Sequence, residues 1–122
     1  MTPLGEANDG VGLDPAEFLE FSALFVDVAT RELARLEAAI EGSHPALAAE
    51  AAHSIKGAAA SMDFREILAC AARLEAQARR GSLAGARGEM ESIGREVRLL
   101  REALSAQLGE WEAACPSMGG LT

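Results

Sequence analysis

The strongest constraint on this fold is the spacing of apolar residues between positions 83 and 111. Leu83, Ala86, Met90, Ile93, Val97, Leu100, Leu104, Leu108 and Trp111 follow one another three or four residues apart. That is the period of one helical face, sustained over about four heptads. A strand would alternate every second residue, so the pattern specifies a long helix with one apolar seam. Taken alone, the seam fits a coiled coil as well as a bundle.

Three shorter patterns upstream favour the bundle. Asp14 is a good N-cap, Pro15 suits the first helical position, and Glu17 completes a capping box. Phe18, Phe21, Phe25, Val28, Leu33, Leu36 and Ile40 then recur at helical spacing, with one slip of phase near Ala29, until Gly42 ends the run. A second helix follows, with Ser43 or His44 as cap and Pro45 in its first turn; Leu47, Ala51, Ile55, Ala58 and Met62 form its stripe. Asp63-Phe64-Arg65-Glu66 reads as a capping box for a third helix. That helix turns Ile67, Ala71, Leu74 and Ala78 inward, with Phe64 as a plug at the bundle end. Arg79 and Arg80 fall in its last turn, where cations favour the helix dipole; Gly81 closes it and Ser82 caps the fourth. Gly85, Gly88 and Gly94 each weaken the fourth helix by about 1 kcal/mol relative to alanine, and close approach of a neighbouring helix is one use for them. The expected fold is all-α: an antiparallel four-helix bundle over residues 14–112, between a flexible leader, 1–13, and a flexible tail, 113–122.

Composition agrees. The chain is rich in alanine with only 4% aromatic residues, and 122 residues hold one modest core. A net charge of −8 disfavours nucleic acid and anionic membrane surfaces. No run of apolar residues is long enough to span a bilayer, and residues 1–12 lack the pattern of a signal peptide. Cys70 and Cys115 match no zinc or redox spacing, so free thiols and a cytoplasmic location are expected. No glycine-rich nucleotide-binding box is present, which argues against an enzyme in its own right.

The chemistry concentrates in Ala52-His53-Ser54-Ile55-Lys56-Gly57. Ten of the eleven basic residues are arginine, and Lys56 is the exception. A compact, mobile ammonium suits this position better than a planar guanidinium fork. On the helical wheel His53 falls opposite the apolar stripe, surrounded by Ala46, Ala49, Lys56, Gly57 and Ala60. This small-residue platform lets a partner bring a reactive group close, and Ala49, Gly57 and Ala60 are its candidate docking residues. Gly57 inside a helix costs stability and calls for such a reason. A neutral imidazole is nucleophilic near pH 7, and the Lys56 ammonium about one turn away can stabilise a phosphoryl group on it. Glu75 lies four residues before Arg79, which is also ordinary intrahelical ion-pair spacing. His44 reads as a surface or capping residue.

His53-Ser54-Ile55-Lys56-Gly57 resembles the His-x-x-Lys-Gly signature of histidine-containing phosphotransfer (HPt) domains, carried on the second long helix of a four-helix bundle. The resemblance covers about Phe18 to Leu108, and Leu74-Glu75 followed by Arg79-Arg80-Gly81 also looks like that family. The wording is closest to the N-terminal phosphotransfer domain of CheA-type chemotaxis kinases. The resemblance implies that His53 is phosphorylated on Nε2 and that Glu75 orients the ring through Nδ1. It implies as partners a response-regulator receiver domain with its own aspartate and Mg²⁺, and a sensor histidine kinase. No cofactor or metal is expected on this chain, and a monomer is expected. Ala72 stands where the chemotaxis kinases carry a second histidine. Asp63 and Ser61 stand where the family commonly has glycine and asparagine.

Three other readings compete. A helical adaptor that is never phosphorylated would use the seam of the fourth helix to oligomerise. A metal-binding bundle would need several Glu-x-x-His pairs, and Glu50-Ala51-Ala52-His53 is a single, outward-facing copy. A histidine-kinase dimerisation hairpin usually shows an acidic residue after the histidine and a proline soon after, whereas Ser54 follows His53 here.

Overall fold

A computed structural model describes residues 12–114, with side chains described as far as Gln107. It contains four helices: α1 (Pro15–Glu41), α2 (Pro45–Met62), α3 (Arg65–Arg79) and α4 (Ala86–Ala114). Each packs against its neighbours in the chain, and α1 packs against α4 to close the ring. The short connections make consecutive helices antiparallel. Among the described residues, none of the helices is long and apolar enough to cross a membrane.

α1 starts as its sequence dictates. The Asp14 carboxylate accepts from the Glu17 amide at 2.8 Å, and the Glu17 carboxylate reaches back to the Asp14 amide. The end of α1 differs from expectation. Gly42 stays right-handed at φ −84°, and Ser43 takes the left-handed conformation instead, at φ 56°. A side chain at Gly42 would collide with the His44 ring, 2.8 Å from where a Cβ would sit. The glycine is therefore not there for backbone freedom, and a Cβ would have to displace the exposed His44 ring. His44 is the N-cap of α2 but donates no side-chain cap bond, and Pro45 follows at the first position.

The core is a continuous apolar column containing Phe18, Phe25, Leu36, Ile55, Leu74, Ile93 and Val97. At one end the Phe64 ring meets Phe25 edge-on at 4.9 Å and Phe18 at 6.2 Å, as a bundle-end plug should. Two expected core residues lie outside. Phe21 and Leu47 remain 44% and 54% exposed. α2 packs against both α1 and α3, so its buried arc is broad and rotated: Ala48, Ala49, Ala51, Ala52, Ile55, Ala59 and Met62. Five of these seven residues are alanines.

The expected capping box at Asp63 is absent. Asp63 instead ends α2 in the left-handed conformation at φ 57°, and its carboxylate meets Arg65 Nε at 3.3 Å. Phe64 is the N-cap of α3 and has no side-chain cap bond. α4 starts at Ala86, later than Ser82 suggested. The Ser82 hydroxyl accepts from the Ala84 amide in the preceding turn, and the Gln77 side chain accepts from the Gly85 amide at 3.0 Å. From Ala86 to Leu104 the seam is buried as its period requires; Leu108 and Trp111 lie outside the described side chains. Gly88 and Gly94 face open space, so no helix approaches them closely. α4 runs to Ala114, two residues beyond the expected boundary at 112. Most of the expected leader and tail, residues 1–11 and 115–122 including Cys115, lies outside the described residues. Cys70 is a free, buried thiol.

Candidate functional site: a histidine held by a buried carboxylate

The site lies on the seam between α2 and α3. His53 sits in the middle of α2, on the side away from Ile55, and 61% of its side chain is exposed. Lys56 is one turn further along the same face. Glu75 projects from α3 and is one of two buried polar residues in the described chain, the other being Ser22.

Glu75 gathers the site. Its Oε2 lies 3.0 Å from His53 Nδ1. Its Oε1 lies 2.6 Å from Lys56 Nζ, off the direction of a well-aligned hydrogen bond, so that contact is an ion pair. Arg79, one turn along α3, donates to Oε2 from Nε at 2.9 Å and from Nη2 at 2.6 Å. Glu75 thus contacts both of the partners that the sequence left open, Arg79 on its own helix and His53 on α2. Lys56, followed by Arg79 and His53, holds the Glu75 carboxyl down to about 2, against the opposing effect of burial. Glu75 is therefore ionised at neutral pH.

The ionised carboxylate sets the tautomer of His53. A carboxylate only accepts, so the short contact requires a proton on Nδ1. A neutral ring then carries its lone pair on Nε2. The tertiary structure thus anchors Nδ1 and leaves Nε2 free.

The expected docking residues separate. Gly57 and Ala60 are exposed beside His53. Nothing lies within 4 Å of where a Cβ on Gly57 would sit. Ala49 is only 1% exposed and belongs to the core, because the α2–α3 contact covers that side of α2. It reaches solvent only as part of the wall of an open groove with Pro45, Ala46, Glu50, Ala78, Arg79 and Gly81. The spacing of Glu75 and Arg79 was legible as an intrahelical pair, but not that the same carboxylate would bring Arg79 to His53 and Lys56. Among the described residues, no group of three or more His, Cys, Asp or Glu side chains is arranged to hold a metal ion.

Comparison with known proteins agrees with this architecture. No curated protein sequence matches the chain. Among solved structures, the chain is similar to histidine-containing phosphotransfer protein B from Pseudomonas aeruginosa, with 25% identity and a TM-score of 0.72 over 85% of this chain and 88% of that one. The family model for the Hpt domain matches residues 20–110, which include all of α2 and α3 and the Glu75 cluster between them. The chain belongs to the Hpt domain family, and its activity is histidine phosphotransfer in phosphorelay signalling.

Proposed function

We propose that His53 is the phosphoacceptor of this relay, that Lys56 stabilises the phosphoryl group, and that Glu75 orients the imidazole. The observation that carries this reading is the exposed His53 ring tied through Nδ1 to an ionised, buried Glu75. Nε2 attacks the phosphorus of a receiver's aspartyl phosphate. The Nε2–P bond forms as the acyl phosphate P–O bond breaks, and the aspartate leaves as a free carboxylate. The Nδ1 proton stays where it is, so the ring becomes cationic. Glu75 stabilises that developing charge through the same hydrogen bond that set the tautomer. Lys56 offers three donors on a flexible stem to the incoming phosphoryl oxygens. The reverse sequence delivers the group to another receiver aspartate.

Hpt domains work between kinases and response regulators and carry phosphoryl groups without being kinases themselves. For this chain the proposed partners are a receiver domain, which brings the Mg²⁺ and the acyl phosphate, and a sensor histidine kinase. Gly57 and Ala60 form the clear ground beside His53 for that docking. No cofactor on this chain is needed for the step. A monomer acting in the cytoplasm completes the proposal.

The test is transfer of label from a phosphorylated receiver and its Mg²⁺. Wild type is expected to acquire acid-labile, base-stable label, and His53→Gln to acquire none while keeping its helix content. Undiminished label on His53→Gln would move the acceptor elsewhere.

A further inference from the structure

The donors around Glu75 divide its two oxygens unevenly. Lys56 alone meets Oε1, at 2.6 Å. His53 Nδ1 and both donors of Arg79 meet Oε2. The division also follows the helices. Lys56 shares α2 with His53, so it travels with the group that becomes phosphorylated. Arg79 shares α3 with Glu75, one turn away, and stays with the carboxylate.

In the proposed phosphotransfer, Lys56 has two anionic claimants, the buried carboxylate and the phosphoryl group. A buried carboxylate stripped of its cation is strongly disfavoured. Without a second cation, Lys56 would be retained at Oε1 and withheld from the phosphoryl group. Arg79 removes that conflict, because its two short bonds to Oε2 keep Glu75 paired after Lys56 swings away. The His53 bond is on Oε2 too, so the departure of Lys56 from Oε1 leaves the ring anchor in place.

We infer that Arg79 is a positioning residue for phosphotransfer: it holds Glu75 in place of Lys56 and so frees Lys56 to follow the phosphoryl group. This rests on the reading of His53 as phosphoacceptor. It also differs from a plain helix-stabilising pair, which would affect stability alone.

Potassium phosphoramidate provides the test, since it needs no partner protein. Nε2 of His53 takes the phosphoryl group as the P–N bond of the donor breaks and ammonia leaves. ³¹P NMR follows the rate for wild type, Arg79→Gln, Arg79→Lys, Lys56→Ala and the Arg79→Gln/Lys56→Ala double variant. Arg79→Gln is expected to slow labelling by about 3- to 10-fold, the loss of one charge-assisted contact, to nearly the rate of Lys56→Ala. The double variant should then be no more than about 2-fold slower than either single, because Arg79 acts through Lys56. Arg79→Lys should restore most of the rate. Before any phosphorylation, the ¹⁵N signals of Arg79→Gln should still show His53 protonated on Nδ1.

Wild-type labelling rates in Arg79→Gln would overturn the inference. So would a double variant whose slowing is the product of the two singles, or loss of the Nδ1 proton signal in unphosphorylated Arg79→Gln. Failure of the underlying reading looks different: wild type takes no label, or His53→Gln takes it as well.

Discussion

Asp63 shows how one residue meets two demands. It ends α2 in the left-handed conformation at φ 57°, where a residue with a Cβ is strained by about 1 kcal/mol. Its exposed pair with Arg65 returns little of that. Replacing Asp63 with glycine should therefore stabilise the protein by about 0.5–1 kcal/mol, read as a higher urea midpoint at unchanged slope. A lower midpoint would show that the Arg65 contact outweighs the strain. The sequence made the turn at this position legible but assigned the carboxylate the wrong task. Capping of α3 and termination of α2 use the same residue types, and only the backbone angle separates them. Ser43 and Gly42 show the same ambiguity, with the left-handed residue displaced by one.

At the scale of the element, α2 is built to be crowded on one side and open on the other. Ala48, Ala52, Ile55 and Ala59 are fully buried, while His53, Gly57 and Ala60 are exposed. Gly57 has no neighbour that a methyl group would touch, so nothing within the described chain requires a glycine there. Gly57→Ala should accordingly stabilise α2 by about 1 kcal/mol, raising Tm by roughly 4–8 °C. If the open space exists for a docking receiver, the same variant should slow phosphotransfer from that receiver. A more stable protein with an unchanged transfer rate would remove the docking role of Gly57. The period of α2 was legible in its sequence, but the width of its buried arc was not. Alanine is compatible with either face, so an alanine-rich helix encodes its orientation weakly. That is why Leu47 and Ala49 exchanged places relative to expectation.

The whole molecule inherits a pH dependence from the Glu75 cluster. The folded carboxyl titrates at about 2, below its ordinary value of 4.5. A group depressed on folding contributes stability above its unfolded pKa and loses it as pH falls through the folded one. Glu75→Gln should therefore be less stable than wild type at pH 7, and the gap should close as pH falls from 4.5 toward 2. Urea unfolding of both proteins at pH 7, 4 and 3 measures it. A gap independent of pH would mean that the Glu75 charge contributes nothing to the fold. The sequence by itself determined the helix count, the starts of α1 and α2 and the heptad seam from Ala86 to Leu104, because period and cap chemistry are local. It also singled out His53, Lys56 and Gly57 by their spacing within one helix. Only the tertiary structure decided that Glu75 is buried, that it takes His53, Lys56 and Arg79 at once, and that Nε2 is the free ring nitrogen. Those facts depend on how α3 sits against α2, and the geometry between two helices is set by the packing of their side chains, which no local pattern specifies.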